Sequence, residues 1–306
     1  MCRPALDVCG PVAGNVSLIT KGVSLMESRN RPLSCRQTAC DVSIFLALFL
    51  LAARAASGCT IVMAAKNGLV LVGNNEDRRH LQTVVTFMPA TERWHGRIIF
   101  GYDDAPVQGG MNDQGLFIDG NALRPTGWTP EPGKPAFKGH LMIYILGTCS
   151  TVDEVQAFFE KYNHPGLGNG RFPVADRTGA SMVVEYGQGR VQFVKSETWY
   201  QIATNFVISN VTDGNYPCER YRAADKILSK ARELGLDLIR SVLDATHQED
   251  DGLTVYSNIY DLKNGIIHLY NLRNFEDVVV LNLAEELKKG TRRIALPSLF
   301  RTAAAE

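Results

Sequence analysis

The stretch C-T-I-V-M-A-A-K-N-G-L-V-L-V-G-N-N-E-D, residues 59–77, decides how the rest of the chain is interpreted. Residues 60–65 are an apolar run that predicts a buried strand, and residues 69–72 predict a second strand that returns beside it. Lys66-Asn67-Gly68 separates the two runs, and an Asn-Gly pair favours the positive φ angles of a type I′ turn. The polar residues 73–77 are then expected to end the second strand. The stretch therefore predicts a hairpin that begins directly after Cys59, so that this cysteine is built into a sheet.

The residues before Cys59 have the pattern of a secretory signal peptide. Residues 42–53 are apolar but too short to cross a bilayer, since a spanning helix needs about 20 residues. Arginines precede this run, and the small residues Ala56 and Gly58 suit a cut before Cys59. Met26 would be a more usual start for such a signal. We therefore predict that residues 1–58 are an N-terminal extension with a cleaved signal peptide, that residues 59–306 form a single domain, and that the product is periplasmic or secreted.

Removing that extension changes the charge and the cysteine count. The whole chain of 306 residues has 32 basic and 32 acidic side chains, and residues 59–306 keep 26 and 29 of them. A balance so close to neutral gives no support to nucleic-acid binding by bulk electrostatics. The extension also holds four of the seven cysteines, which leaves Cys59, Cys149 and Cys218. The last two are possible disulfide partners in an oxidising compartment, and each could equally be a free thiol.

The pattern along residues 59–306 mixes many strand runs with a few helices. Further strands are predicted at 84–88, 97–102, 116–119, 172–176, 181–186, 191–194, 254–261 and 265–271, with a turn over 109–115. Helices are predicted at 139–149, after the capping box that begins at Thr151, at 219–234 and at 236–246. Hairpins of this kind form antiparallel sheet, and alternating βαβ units are absent. The predicted class is therefore α+β, and a Rossmann fold or a parallel barrel is disfavoured.

The chemistry available to the chain depends on Cys59. No metal-ligand spacing, phosphate-binding loop or serine-hydrolase motif is present, so we predict no metal and no organic cofactor. One interpretation makes Cys59 a lipidated residue, and the chain a membrane-anchored binding protein without catalysis. The other makes it a free N-terminal nucleophile whose own α-amine, with an ordinary pKa of about 7.7–8.0, can take the thiol proton. A strand that starts immediately leaves no flexible tether, which favours the nucleophile.

Five short motifs follow one another along residues 59–221. They are Cys59-Thr60 with the hairpin and residues 73–77, residues 112–116 with the later Asn121, the strand pair 172–186 that ends in Val-Val-Glu, Thr204-Asn205, and Arg220-Tyr221. Together they resemble the cysteine N-terminal-nucleophile hydrolases of the choloylglycine hydrolase and penicillin V acylase type, the linear amide C–N hydrolases. The resemblance spans nearly all of residues 59–306. It implies a four-layer αββα sandwich, with two antiparallel sheets between helical layers.

The resemblance also implies a role for each matching residue. Cys59 would be the nucleophile that forms an acyl-thioester, and Asp77 would hold its α-amine. Asn205 would donate its side-chain amide to the developing oxyanion, and Asn121 could support the same oxyanion hole. Arg220 would lower the pKa of the thiol or steady the polar network.

Asn74 departs from the family pattern, which has arginine at the matching position of Gly-Arg-Asn-Leu-Asp. A neutral residue there would raise the pKa of the thiol relative to the family. Three consequences are open: Arg78 or Arg79 compensates, Asn74 acts by hydrogen bonding at the substrate side of the site, or the activity differs.

The function that the resemblance implies is that of an exported amidase. It would hydrolyse a linear, non-peptide carbon–nitrogen bond of a small N-acyl amide of the penicillin V, bile-salt or N-acyl-amine kind. An acyltransferase on the same residues is the alternative, because an amine instead of water can accept the acyl group. A homo-oligomer is possible, and contact with a membrane is expected only through the signal peptide unless Cys59 is lipidated.

Overall fold

The computed structural model describes residues 58–79, 81–105, 107–249 and 252–303. The sequence interpretations that fall on residues 1–57, namely the apolar signal segment and the start at Met26, lie outside these residues. The cut before Cys59 stays a prediction.

The strands and helices agree with an α+β chain. The strands are β1 Thr60–Lys66, β2 Leu69–Asp77, β3 Thr83–Met88, β4 Arg97–Tyr102, β5 Gly109–Asn112, β6 Phe117–Ile118, β7 Asn121–Ala122, β8 Gly170–Ala175, β9 Ser181–Gly187, β10 Arg190–Lys195, β11 Tyr200–Ala203, β12 Thr254–Asp261, β13 Ile266–Asn271, β14 Val278–Asn282 and β15 Arg292–Ala295. The helices are α1 Leu141–Thr148, α2 Val152–Lys161, α3 Glu219–Leu228, α4 Leu236–Thr246, α5 Leu283–Lys288 and α6 Pro297–Ala303. None of the helices in the described ranges is long and apolar enough to span a bilayer.

The strands form two antiparallel sheets. The first has the order β11-β1-β2-β12-β13-β14, and the second has the order β10-β9-β8-β6-β5-β4-β3-β15, with β7 paired to β8. Three apolar clusters fill the spaces between layers. One lies between the sheets, one between the second sheet and α1–α2, and one between the first sheet and α3–α4. The α+β class and the four-layer αββα arrangement are therefore confirmed.

Strand β1 shows why its sequence is apolar without interruption. Ile61 and Met63 point into the cluster between the sheets, whereas Val62 and Ala64 point into the cluster beneath α3 and α4. Both faces of the strand are covered, so neither needs polar side chains. The hairpin that follows has Asn67 at φ 52° and Gly68 at φ 84°, as the predicted type I′ turn requires.

Strand β2 differs from its prediction, because residues 73–77 continue it to Asp77 instead of ending it. These polar residues stay in the ladder since β1 and β12 pair with them on both sides. Asn75 also satisfies its side chain on the helical side, where its Nδ2 donates to the Leu243 carbonyl over 2.8 Å. Burial without loss of hydrogen bonds is what allows a polar strand end at the centre of a sheet.

Two other boundaries were wrong. Gly109–Asn112 is strand β5 and not part of a turn. A Cβ atom on Gly110 would lie 2.0 Å from the Ile98 carbonyl oxygen, so this glycine serves close strand packing. The predicted helix 219–234 ends at Leu228, because no buried residue follows until Leu234. The capping box at Thr151 is confirmed, and its hydroxyl accepts from the Glu154 N–H over 3.2 Å.

Candidate active site

Cys59 lies at the edge of the space between the two sheets. The pairing of β1 with β2 joins Ile61 to Asn74 and Thr60 to Asn75, so the next opposed pair is Cys59 and Glu76. The thiol therefore points to the same side as Ile61, into the inter-sheet layer, and Cys59 is only 6% exposed. In this structure its nitrogen is joined to Gly58.

Arg220, at the start of α3, connects several of the residues expected at the site. Its Nη1 donates to the Gly58 carbonyl, to Thr60 Oγ1 over 2.9 Å and to Asp77 Oδ2 over 3.4 Å. Its Nη2 donates to Asn205 Oδ1 over 2.8 Å. One guanidinium thus joins the end of β1, the end of β2 and the segment after β11.

Asp77 is held by donors from three directions. The Thr254 hydroxyl donates to Oδ1, and Gln248 Nε2 donates to Oδ2 over 2.6 Å. Burial raises the pKa of Asp77 to about 7, although the hydrogen bonds from Thr254 and Gln248 and the charge of Arg220 act in the opposite direction. Gln248 Nε2 also lies 3.2 Å from the Gly58 carbonyl oxygen, so Asp77 shares two donors with that carbonyl.

The two asparagines expected in the oxyanion hole flank the Gly58–Cys59 peptide. Asn121 Nδ2 donates to the Cys59 carbonyl over 3.3 Å, and Asn205 Nδ2 donates to the Ala122 carbonyl over 2.8 Å. Asn205 also lies against Gly58, where a Cβ atom would be 1.9 Å from its Nδ2. Both amides are thus near the nucleophile and are bonded to backbone carbonyls in this structure.

A buried ion pair fixes the loop that follows Asn205. Arg171 Nη1 donates to Glu185 Oε2 over 3.2 Å and to the Phe206 carbonyl over 2.6 Å. Glu185 in turn accepts from the Ile208 and Ser209 N–H groups. Because Phe206 directly follows Asn205, this pair holds the chain next to the candidate oxyanion donor.

Two further carboxyl groups lie beside the thiol, and the sequence interpretation did not include them. Glu76 is 3% exposed and Asp119 is 1% exposed. Tyr102 donates its hydroxyl to Glu76 Oε1 over 2.8 Å, and Asn74 Nδ2 donates to Asp119 Oδ2 over 3.2 Å. Burial raises the pKa of both carboxyl groups, and the charge of Glu76 raises that of Asp119 further. Asn74 therefore acts by hydrogen bonding within an acidic group.

The electrostatics at Cys59 are the reverse of those that activate a thiolate. Burial raises the pKa of the thiol well above its ordinary value, and the charges of Glu76, Asp77 and Asp119 raise it further. A hydrogen bond from the Asp77 backbone opposes this effect. Arg78 is directed elsewhere: it pairs with Asp104 over 2.9 Å and lies over the Tyr102 ring. At neutral pH the thiol is therefore protonated.

The structure brings the expected site residues together. Arg220, Asp77 and Asn205 share one hydrogen-bond network with the carbonyl before Cys59, while Asn121 bonds to the carbonyl after it. Asn74 joins the site through the acidic group. The sequence interpretation missed Glu76, Asp119, Gln248 and Thr254. For Glu76 a signal existed, because it stands where the quoted family motif has leucine.

The chemistry of the site is that of a thiol among carboxyl groups and amide donors. Within the described ranges, no group of His, Cys, Asp and Glu side chains is arranged to hold a metal ion. Cys149 and Cys218 are free thiols, and Cys149 is buried in the apolar cluster beneath α1 and α2.

Comparison with known proteins gives a likeness in structure. No protein-family model matches the sequence, and no match is found among curated proteins. A variant of conjugated bile acid hydrolase from Clostridium perfringens matches with a TM-score of 0.60 at 17% sequence identity, over 78% of this chain and 96% of that one. Penicillin V acylase from Agrobacterium tumefaciens matches with a TM-score of 0.58, also at 17% identity, over 78% of this chain and 91% of its own. The chain therefore has the two-sheet fold of these two proteins, at a sequence identity that establishes the fold alone.

Proposed function

We propose that this chain is an exported amidase that hydrolyses a linear, non-peptide C–N bond of a small N-acyl amide through an acyl-thioester on Cys59. The observation that carries the proposal is the convergence of Asp77, Asn205 and Arg220 on the peptide before Cys59. The structural neighbours support it, since they are a conjugated bile acid hydrolase and a penicillin V acylase.

The reaction would proceed in two steps. Cys59 Sγ attacks the amide carbonyl while the α-amine freed by the cut takes the thiol proton, the C–N bond breaks, and the α-amine returns that proton to the leaving amine. Water then attacks the thioester, which releases the carboxylic acid and restores the thiol. Asn205 and Asn121 supply the amide donors for the oxyanion of both steps, and one such donor contributes about 3–4 kcal/mol to stabilising the transition state.

Export and the cut before Cys59 form part of the same proposal. Gly58 is bonded to Cys59 in this structure, and Asp77 shares two donors with the Gly58 carbonyl. A cut would free an α-amine close to this carboxyl group. The product would act on small molecules in the periplasm or outside the cell, without nucleic acid, and would touch a membrane only through its signal peptide. Self-association remains part of the proposal and can be measured by light scattering.

The test is a panel of N-acyl amides, with intact-mass trapping of the acyl-enzyme. The wild-type chain should gain the mass of one acyl group at Cys59 and release the amine, whereas Cys59→Ser should do neither while keeping its fold by circular dichroism. Cys149→Ala is the matched control, because it removes another buried thiol and should keep the adduct. Undiminished turnover by Cys59→Ser would reject the mechanism.

The same mass measurement separates the amidase from an anchored binding protein. Exported protein with an unmodified Cys59 at its N-terminus supports the amidase. A diacylglyceryl group on Cys59 would exclude it, since the sulfur would no longer be available.

A further inference from the structure

Strand β14, Val278–Asn282, stands at the end of the first sheet, and its neighbour in the described part of the chain is β13. Its register joins Leu281 to Ile267, and the Leu283 N–H continues that register by donating to the Gly265 carbonyl over 2.8 Å. Hydrogen-bonded pairs alternate with non-bonded pairs along an antiparallel ladder, so Leu281 belongs to the bonded set. The residues between the bonded ones therefore turn their backbone N–H and C=O groups away from β13.

Val278 and Val280 are the residues of β14 whose backbone groups point out of the sheet. Their N–H and C=O groups form no hydrogen bond with any residue that the structure describes. Their side chains are 41% and 54% exposed, whereas Val279 and Leu281 pack into the inter-sheet cluster. Unpaired backbone groups beside exposed apolar side chains make this edge a template for another strand.

The three other strands at the ends of the two sheets are protected in ways that β14 is not. Strand β15 begins with two arginines, and β10 begins and ends with a basic residue. At β11 the hydroxyls of Ser196 and Thr198 donate to the Tyr200 carbonyl over 2.9 and 2.7 Å. Charges and local hydrogen bonds of this kind keep an edge from pairing with a further strand. Strand β14 reads Val-Val-Val-Leu-Asn, with neither charge nor proline.

We propose that β14 pairs antiparallel with β14 of a second copy of this chain, so that the first sheets of the two copies join into one. A row of alternating backbone donors and acceptors is satisfied by another strand, and two-fold pairing of identical strands is self-complementary. With Val280 on the two-fold axis, its N–H and C=O bond to those of Val280 in the second copy. The Asn282 N–H of each copy then donates to the Val278 carbonyl of the other.

The charges next to β14 favour this antiparallel arrangement over a parallel one. Glu276 and Asp277 directly precede the strand. With Val280 on the axis, the Asp277 residues of the two copies are six positions apart along the strands, or about 20 Å. A parallel pair would place them side by side, where like charges repel each other.

The size of the contact sets its expected strength. It joins the copies through four backbone hydrogen bonds and the two exposed valines of each strand, whereas a standard stable interface buries about 1,600 Å². We therefore expect an exchanging dimer that forms at micromolar concentrations or above. Strands β12 and β13 separate β14 from β2, so the inference does not depend on the amidase proposed for the site at Cys59.

The test is disulfide cross-linking of full-length chains that carry one added cysteine. Hydrogen-bonded residues directly opposite each other have Cα atoms about 5.5 Å apart, which is within the range of a disulfide, so Val280→Cys should give a cross-linked dimer on mild oxidation. Val278→Cys is the matched control. Its two copies would be four positions, or about 13 Å, apart, so it should cross-link at least about tenfold less. The wild-type chain gives the background from the half-buried Cys218.

A charge on the axis provides a second measurement. Val280→Lys would bring two lysines directly opposite each other, so sedimentation should show the dimer converted to monomer. Leu81→Lys replaces a leucine that is equally exposed, at 53%, in another part of the chain, and it should keep the dimer. Circular dichroism checks that both variants fold.

Three results would each overturn the inference. The first is a wild-type chain that stays monomeric up to about millimolar concentrations. The second is a dimer that Val280→Lys leaves intact, and the third is equal cross-linking of Val278→Cys and Val280→Cys. All of these measurements are made without substrate, so a failed amidase assay would reject the proposed function and leave this inference standing.

Discussion

Two groups of buried charge in this molecule are built in different ways. Arg171 and Glu185 form a pair in which one cation faces one anion, and both side chains are fully buried. The anion also accepts from two backbone N–H groups, so each of its oxygens is bonded. Around Cys59, by contrast, Glu76 and Asp119 are buried together, and neither forms an ion pair with a cation among the described residues.

The difference separates a structural role from a chemical one. A charge-balanced pair holds a loop in one conformation, here the loop after Asn205, although Arg171 Nε and Nη2 have no hydrogen-bond partner among the described residues. An unbalanced group raises the pKa of each of its members and opposes folding at neutral pH. Such a cost is common at sites where reactivity has to be tuned.

Removing the cation from the balanced pair should have the largest effect on folding. Arg171→Leu leaves Glu185 buried and uncompensated, so the free energy of unfolding should fall by about 3–5 kcal/mol, measured by urea denaturation. Lys195→Ala is the control, because its pair with Asp153 is exposed and should contribute less than about 1 kcal/mol. Equal losses for the two variants would mean that the buried pair is not the fixed element we describe.

The third carboxyl group near Cys59, Asp77, can be examined through the pH dependence of stability, although it differs from Glu76 and Asp119 in having Arg220 as an ion-pair partner. The pKa of Asp77 is about 7 in the folded chain, against about 3.9 when unfolded, so folding binds a proton and stability from this group is lost as pH rises from 4 to 7. The free energy of unfolding of Asp77→Asn should therefore increase relative to that of wild type as the pH rises from 4 to 8, by up to about 4 kcal/mol. Urea denaturation at each pH measures this difference. Asp153→Asn, at an exposed site, should show no such trend. A constant difference between Asp77→Asn and wild type across this range would contradict the raised pKa.

The smallest expected effect on stability concerns Gln248, a hydrogen-bond donor to Asp77 that the sequence did not reveal. Gln248→Leu removes a hydrogen bond to Asp77, so the pKa of Asp77 should rise and the loss of stability should move to higher pH. The free energy of unfolding at pH 8 should fall by about 1–2 kcal/mol. Gln114→Leu is the matched control, since it breaks an exposed bond to Asp113 of 2.9 Å and should change stability by less.

The sequence allowed the hairpin, the α+β class and the residues around Cys59 to be predicted. It did not reveal Glu76, because the strand was expected to end at Val72 and the alternation was not continued. Val70 and Val72 face the inter-sheet cluster, so two-residue alternation would have placed Asn74 and Glu76 there as well.

Strand β14 and the contact between Gln248 and Asp77 were not predicted either, for a different reason. Strand β14 exposes Val278 and Val280, at 41% and 54%, so the edge of the sheet lacks the polar-outward pattern that identifies a half-buried strand. Gln248 reaches Asp77 across 171 positions of sequence, and no local pattern announces such a contact.

Gly58 restricts which residues can stand directly before the candidate nucleophile. Any side chain at this position would meet the Asn205 amide, which Arg220 and the Ala122 carbonyl hold in place. Substitution here would therefore disturb an active-site asparagine more than a hundred positions away in sequence. In a mutational scan of the joined chain, position 58 should be among the least tolerant, although the proposed mature enzyme would not contain it.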